Sequence, residues 1–192
     1  MSDTSIYAPL GASNHSGRER VPGDYYATSP EAVDRPAAAI PLPAVIWEPA
    51  CGEGHLSRRL AELGHTVYSS DLIDRGFGET RDFFQADGCP PDCSCILTNP
   101  PYSKGAEFVL HALDILPAYG TCFMFLKTTF LEGKTRYESL FRNNPPLCVY
   151  QFISRVTCAP GGDFSAIKSS AVSYAWFLWE KGFRGPTILR WI

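Results

Sequence analysis

No apolar run in the chain approaches the roughly 20 residues that a membrane-spanning helix needs, so a bilayer-embedded protein is not expected. The first residues, Met1 to Arg20, hold no apolar stretch of the signal-peptide kind. They are polar and rich in Ser, Gly and Asn, and read as a disordered tail. These absences make the cytoplasm the expected compartment. No internal repeat is present, and no low-complexity block follows the tail. The 7 cysteines are an odd number, which cannot close into a complete intrachain disulfide framework. Cys89, Cys93 and Cys95 form a C-x3-C-x-C cluster, but no second Cys or His pair follows at a spacing suited to zinc. They are read as buried or loop thiols, with no metal expected.

What is present suits a single folded unit. A chain of 192 residues with 45% hydrophobic and 19% charged residues can bury a substantial core, and residues 21–192 are read as one domain. The formal net charge of −3 conceals an asymmetry. Residues 1–98 carry 7 Lys+Arg against 14 Asp+Glu, a balance of −7, while residues 99–192 carry 10 against 6, a balance of +4. A basic face on the C-terminal half would suit phosphates.

From Ala44 onward, apolar runs alternate with helical patterns, the mark of a parallel α/β sheet. Strands are predicted at Val45–Trp47, Thr66–Ser70, Cys95–Thr98, Thr121–Leu126, Leu147–Ile153, Ala171–Trp179 and Ile188–Trp191. Leu56, Leu60 and Leu63 share one face of a helix ending at Gly64, and Gly105–Leu116 has a similar pattern. Shorter helices are expected at Thr135–Arg142 and at Ser29–Val33, ahead of Pro36. Asn144-Pro145-Pro146 reads as a turn, and Arg155–Ser170 as a polar loop. In open α/β sheets ligands bind beyond the carboxyl ends of strands, where strand order reverses. Three polar clusters fall at such ends: Glu48 to Gly54, Asp71, and Asn99 to Tyr102. They are predicted to converge on one crevice.

Each cluster carries a distinct chemistry. Gly52 and Gly54 have no side chain to obstruct a ligand's approach to the backbone. The loop lacks the Lys of a phosphate-binding loop and the third glycine of a dinucleotide fingerprint. Glu48 and Glu53 would repel a pyrophosphate, but would attract a ligand with a cationic amino-acid end such as S-adenosylmethionine. Asp71, at a strand's end, suits two ribose hydroxyls. In Asn99-Pro100-Pro101-Tyr102, consecutive prolines fix the backbone and remove two N–H donors. The Asn99 side-chain oxygen and the Pro100 carbonyl are then placed to accept hydrogens from an exocyclic amine. Such bonds localise the nitrogen lone pair and stabilise its developing charge. Tyr102 offers a ring on which an extruded base can stack.

On these residues the chain resembles the class I S-adenosylmethionine-dependent methyltransferases, and among them the adenine-N6 DNA methyltransferases of phages and prophages. The resemblance runs from about Tyr25 to the C-terminus. It implies a Rossmann-like α/β fold with a seven-stranded, mostly parallel sheet, one antiparallel strand, and helices on both faces. Glu48-Pro49-Ala50-Cys51-Gly52-Glu53-Gly54 matches the cofactor loop, with Cys51 where a Gly or small residue is common. Asp71 matches the ribose-binding acid, with Leu72 beside the adenine ring, and Asp87 matches an acid contacting the adenine amine. Asn99 to Tyr102 matches the catalytic motif. Tyr26-Ala27-Thr28-Ser29-Pro30 resembles the segment that closes over the methionine part of the cofactor, so Tyr26 and Thr28 join the cofactor set. Phe130 to Lys134 and Tyr174 to Trp179 also resemble the phage group.

The implied donor is S-adenosylmethionine, and the implied partner is DNA whose target adenine is flipped out. Larger restriction-type relatives add a target-recognition domain, and no segment here is long enough to be one. Specificity then falls to the loops 131–137 and 155–170. Lys104, Lys127, Lys134, Arg136, Arg155 and Lys168 are candidate phosphate contacts, and Phe164 a packing partner for the flipped base. Adenine in RNA, a protein glutamine amide, and a non-catalytic nucleic-acid-binding module of the same fold remain as alternatives.

Overall fold

The computed structural model describes residues 26–160 and 172–192. In chain order they form β1 (Tyr26–Thr28), α1 (Glu31–Ala39), β2 (Val45–Glu48), α2 (His55–Glu62) and β3 (Thr66–Asp71). A two-residue strand, β4 (Glu79–Thr80), precedes β5 (Cys95–Thr98), α3 (Gly105–Ile115) and β6 (Thr121–Lys127). There follow α4 (Lys134–Arg136), β7 (Cys148–Gln151), β8 (Cys158–Pro160), β9 (Tyr174–Glu180) and β10 (Ile188–Trp191).

The main sheet has the order β10-β7-β9-β6-β5-β2-β3-β4. Every pairing is parallel except those of β9, which runs antiparallel to both β6 and β7. The seven predicted strands are all present. The eighth, β4, is added where Glu79 and Thr80 pair with Ser70 and Asp71 at the end of β3. A second sheet was not foreseen: β1 and β8 pair as a separate antiparallel ribbon. Each is only three residues long, too short for an alternating pattern to reveal.

Both faces of the sheet are buried, so successive residues of each central strand belong to opposite cores. Trp47, Ile96, Met124 and Phe177 enter one cluster, covered by Phe108, Val109 and Ala112 of α3. Their neighbours Ile46, Leu97, Phe125 and Trp176 enter the other, covered by Ala32 and Val33 of α1 and by Leu56 and Leu60 of α2. This two-sided burial explains why the strands read as continuous apolar runs.

Helix α1 departs from the expected Ser29–Val33 by continuing through Pro36. A proline inside a helix cannot donate to the carbonyl four residues back, here that of Ala32. The buried Trp176 indole N–H donates to that oxygen at 2.7 Å instead. The sheet thus repairs the helix. The predicted helix Thr135–Arg142 is also different in kind: α4 spans one turn and passes into a π-helical turn at Tyr137–Phe141. The polar loop expected from Arg155 contributes β8 before the described chain breaks off at residue 160.

The chain moves outward from β2 to β3 and β4, then returns to place β5 on the other side of β2. Strand order therefore reverses between β2 and β5, the position that opens a ligand crevice at the carboxyl ends.

Candidate active site

A cavity of about 330 Å³ opens at this reversal. Glu48, Pro49, Ala50, Asp71, Leu72, Thr28, Asn99, Pro100, Pro101 and Lys104 all line it, so the three predicted clusters meet in one place. Asp87 does not line the cavity and is exposed. The acid that lines it on that segment is Asp82, with Phe83 and Phe84 beside it. Asp82 accepts from the Phe84 N–H at 2.9 Å and so starts the short helical turn that carries both rings. The acid followed by two aromatics was the available signal. Ile73, Arg75, His55 and Phe108 were likewise missed as lining residues.

The Gly-rich loop is fastened by Asp71. Its carboxylate accepts from the Gly52 N–H at 2.8 Å and, through the other oxygen, from the Ile73 N–H at 2.9 Å. Cys51 N–H adds a bond to the Ser70 carbonyl at 2.9 Å. Neither Gly52 nor Gly54 is among the lining residues. Gly54 has φ +81, and a Cβ there would come within 2.3 Å of the Phe77 ring. Its lack of a side chain therefore admits the Phe77 ring. Phe77 is capped in turn by the Arg58 guanidinium, 4.4 Å from its centroid. Glu53 lies outside the cavity beside His55.

Glu48 is buried at the cavity wall and accepts a short hydrogen bond from the Ser57 hydroxyl. Burial pushes its carboxyl up to about 8, against the downward pull of the Ser57 bond and with a further push from Asp71. Such a group suits a cationic partner, which would restore its charge. Burial likewise pushes the lining Cys51 thiol up to about 12, with help from Glu48 and Asp71, so the thiol is no nucleophile. At the other end, Leu72, Ile73 and Phe84 are exposed apolar side chains that all line the cavity. They form a shelf for a flat apolar ring.

Asn99 leaves the end of β5 with its side-chain nitrogen donating to the Thr28 hydroxyl at 2.8 Å. The Pro101 carbonyl is taken by the Lys104 N–H at 2.8 Å, so of the two prolyl carbonyls that one is committed to the turn. Tyr102 lies beyond the cavity lining. It stacks on Tyr174 at 6.0 Å, and the Lys127 ammonium lies 4.6 Å from its ring centroid. Burial pushes the Tyr102 phenol far up, so it stays protonated.

The predicted phosphate contacts are spread around this end. Lys104, Lys134 and Arg155 are exposed, and Lys104 lies 3.9 Å from Glu107. Arg136 is committed elsewhere: it donates to the Phe130 and Glu132 carbonyls and lies over the Phe130 ring at 4.2 Å. It braces the loop 131–137. Tyr26 begins β1, whereas Phe164 and Lys168 lie outside the described residues. Among the described residues, no group of three or more His, Cys, Asp or Glu could hold a metal ion, and no helix is long and apolar enough to cross a membrane.

No protein-family model matches the chain, and no curated protein sequence does. Solved structures do. One is a protein of Listeria monocytogenes described as a class I S-adenosylmethionine-dependent methyltransferase (TM-score 0.55, 12% identity, covering 97% of this chain and 69% of that one). A Pyrococcus horikoshii protein described as an RNA methyltransferase superposes with a TM-score of 0.60 at 14% identity, covering 91% and 96%. The methyltransferase subunit of a type I restriction-modification system from Streptococcus thermophilus gives a TM-score of 0.51 at 15% identity. That match covers 72% of this chain but only 40% of the subunit. The chain carries the Rossmann-like fold of class I S-adenosylmethionine-dependent methyltransferases.

Proposed function

We propose that the chain is an S-adenosylmethionine-dependent methyltransferase acting on the N6 amine of adenine in DNA. The observation that carries this reading is the single cavity shared by Asn99-Pro100-Pro101, the loop after β2, Asp71 and the apolar shelf. The residues fit the donor's parts. Asp71 suits the ribose hydroxyls, Leu72, Ile73 and Phe84 the adenine, and Glu48 the ammonium of the methionine end. When bound, that donor supplies a methyl group made electrophilic by its sulfonium.

The chain's own residues prepare the acceptor. Asn99 and the Pro100 carbonyl accept from the target amine, which keeps its lone pair out of the ring and on nitrogen. Rate comes mainly from holding amine and donor in line rather than from a strong base. Tyr102 supplies a stacking face for the flipped base, and Lys127 must share or yield that face. DNA is favoured by the Asn-Pro-Pro-Tyr resemblance and by the restriction-modification neighbour. Adenine in RNA is the second reading, supported by the neighbour described as an RNA methyltransferase.

Incubating the purified protein with labelled donor and DNA, RNA or protein tests the substrate, and methylation-sensitive sequencing of DNA from expressing cells tests the base. Asn99→Ala should retain donor binding and lose methyl transfer by roughly 10²–10³-fold. Full activity in that variant would sink the mechanism. A non-catalytic module would label none of the three substrates.

A further inference from the structure

The ribbon of β1 and β8 stands apart from the main sheet, yet its side chains reach the Asn-Pro-Pro-Tyr segment at both ends. Thr28 and Cys158 are directly opposed in the ribbon and both are buried. The Asn99 side-chain nitrogen donates to the Thr28 hydroxyl oxygen at 2.8 Å across 71 residues of chain. The Thr28 hydroxyl lies within hydrogen-bonding reach of the Cys158 thiol opposite it, and the Tyr102 hydroxyl donates to the same sulfur at 3.9 Å. One buried network therefore joins Asn99 to Tyr102 by way of the ribbon.

The order of protons in this network decides which end of the Asn99 amide faces the substrate. A primary amide has nearly the same shape after a half-turn, so only its hydrogen bonds distinguish oxygen from nitrogen. A hydroxyl alone cannot choose, because it can donate or accept. Here the buried Cys158 sulfur, directly opposite Thr28 in the ribbon, offers the Thr28 proton an acceptor. Burial pushes the Cys158 thiol up to about 11, against the downward pull of its hydrogen bonds with Tyr102, Tyr174 and Thr28. With its proton so used, the Thr28 oxygen accepts, and Asn99 must offer it nitrogen. A flipped amide would present N–H to the N–H of an incoming amine, which repels it.

We propose that Thr28 is a positioning residue for methyl transfer, its hydroxyl ordered by Cys158 so that the Asn99 amide is locked with oxygen as the acceptor for the substrate amine. This rests on the reading of Asn99 as that acceptor. It also separates Thr28 from a simple cofactor contact, although the residue lines the same cavity.

The test uses the full chain and the variants Thr28→Val, Thr28→Ser, Cys158→Ala and Asn99→Ala. The Asn99 side-chain amide signals in an ¹⁵N-labelled sample are identified by their loss in Asn99→Ala. Their hydrogen exchange should be at least about tenfold faster in Thr28→Val, faster also in Cys158→Ala, and close to wild type in Thr28→Ser. S-adenosylhomocysteine affinity should stay within about threefold in Thr28→Val, while kcat on adenine-containing DNA falls about tenfold or more and Thr28→Ser restores it. Unchanged exchange in both Thr28→Val and Cys158→Ala overturns the lock. A loss of S-adenosylhomocysteine affinity as large as the loss of kcat makes Thr28 a cofactor contact instead. If wild type does not methylate DNA, or Asn99→Ala does so at full rate, the proposed function fails, while the exchange and affinity measurements still decide the lock.

Discussion

Glu48 was legible in the sequence as an acid at the carboxyl end of a strand, but its state was not. Nothing in Glu48-Pro49-Ala50 announces that the carboxyl will be buried, with the Ser57 hydroxyl, nine residues on, as its hydrogen-bond donor. The consequence is a folded-state pKa of about 8, above the ordinary value of 4.5. Between those two values the unfolded chain gives up this proton while the folded chain keeps it, so the contribution of Glu48 to stability is full below about 4.5 and is lost as pH rises to about 8. Glu48→Gln keeps an acceptor for Ser57 and has no proton to lose. Wild type should therefore lose stability relative to Glu48→Gln across that window, by an amount on the order of a few kcal/mol, and run parallel to it at higher pH. Thermal melts of both proteins from pH 4 to 9 check this. Asp71 was expected to take the ribose hydroxyls; in the structure one of its oxygens also holds the Gly-rich loop at Gly52 and the other the turn at Ile73.

At the scale of elements, what could be read from sequence was what repeats. Seven strands and the helices α2 and α3 declared themselves through periodic apolar positions, whereas β1, β4 and β8 are two or three residues long and rely on partners distant in sequence. Pro36 shows the same limit from the other side. Local rules end the helix before it, but Trp176 supplies the missing donor from the far end of the chain. Replacing that tryptophan should expose the arrangement. Trp176→Phe leaves the Ala32 carbonyl buried without its donor, costing about 1–3 kcal/mol beyond lost packing. Trp179→Phe is the control, since that indole donates to Asn144 in a half-buried turn and should cost less. Pro36→Ala returns a helical N–H to Ala32, so it should recover part of the loss in the Trp176→Phe background. Chemical denaturation of the single and double variants measures the coupling, and strictly additive effects would refute the repair.

For the molecule as a whole, the two sequence halves, which differ in charge, supply different strands of the main sheet. β2, β3, β4 and β5 come from residues 1–98 and occupy one side of the sheet, while β6, β7, β9 and β10 come from the rest and occupy the other. The two halves of the chain therefore divide between β5 and β6, with the loop after β2 and Asp71 on the side of the first. Topology sorts the cations further. Lys104, Lys127, Lys134 and Arg155 end or follow the parallel strands β5, β6 and β7, at the end of the sheet where the cavity opens. Lys181 follows the antiparallel β9 and so lies at the opposite end, its ammonium donating to the Asp114 and Leu116 carbonyls. If the four cations contact phosphates of duplex DNA, binding should weaken with salt at a log–log slope of about −3.6, each contact contributing about −0.9. Lys134→Ala should lessen that slope by about 0.9 and weaken all sequences alike, whereas Lys181→Ala should leave it unchanged. Arg136→Ala should act through the loop that it braces, altering stability more than slope. Fluorescence anisotropy with a labelled duplex across a salt series separates these outcomes. Equal slopes for wild type and Lys134→Ala would remove that lysine from the interface.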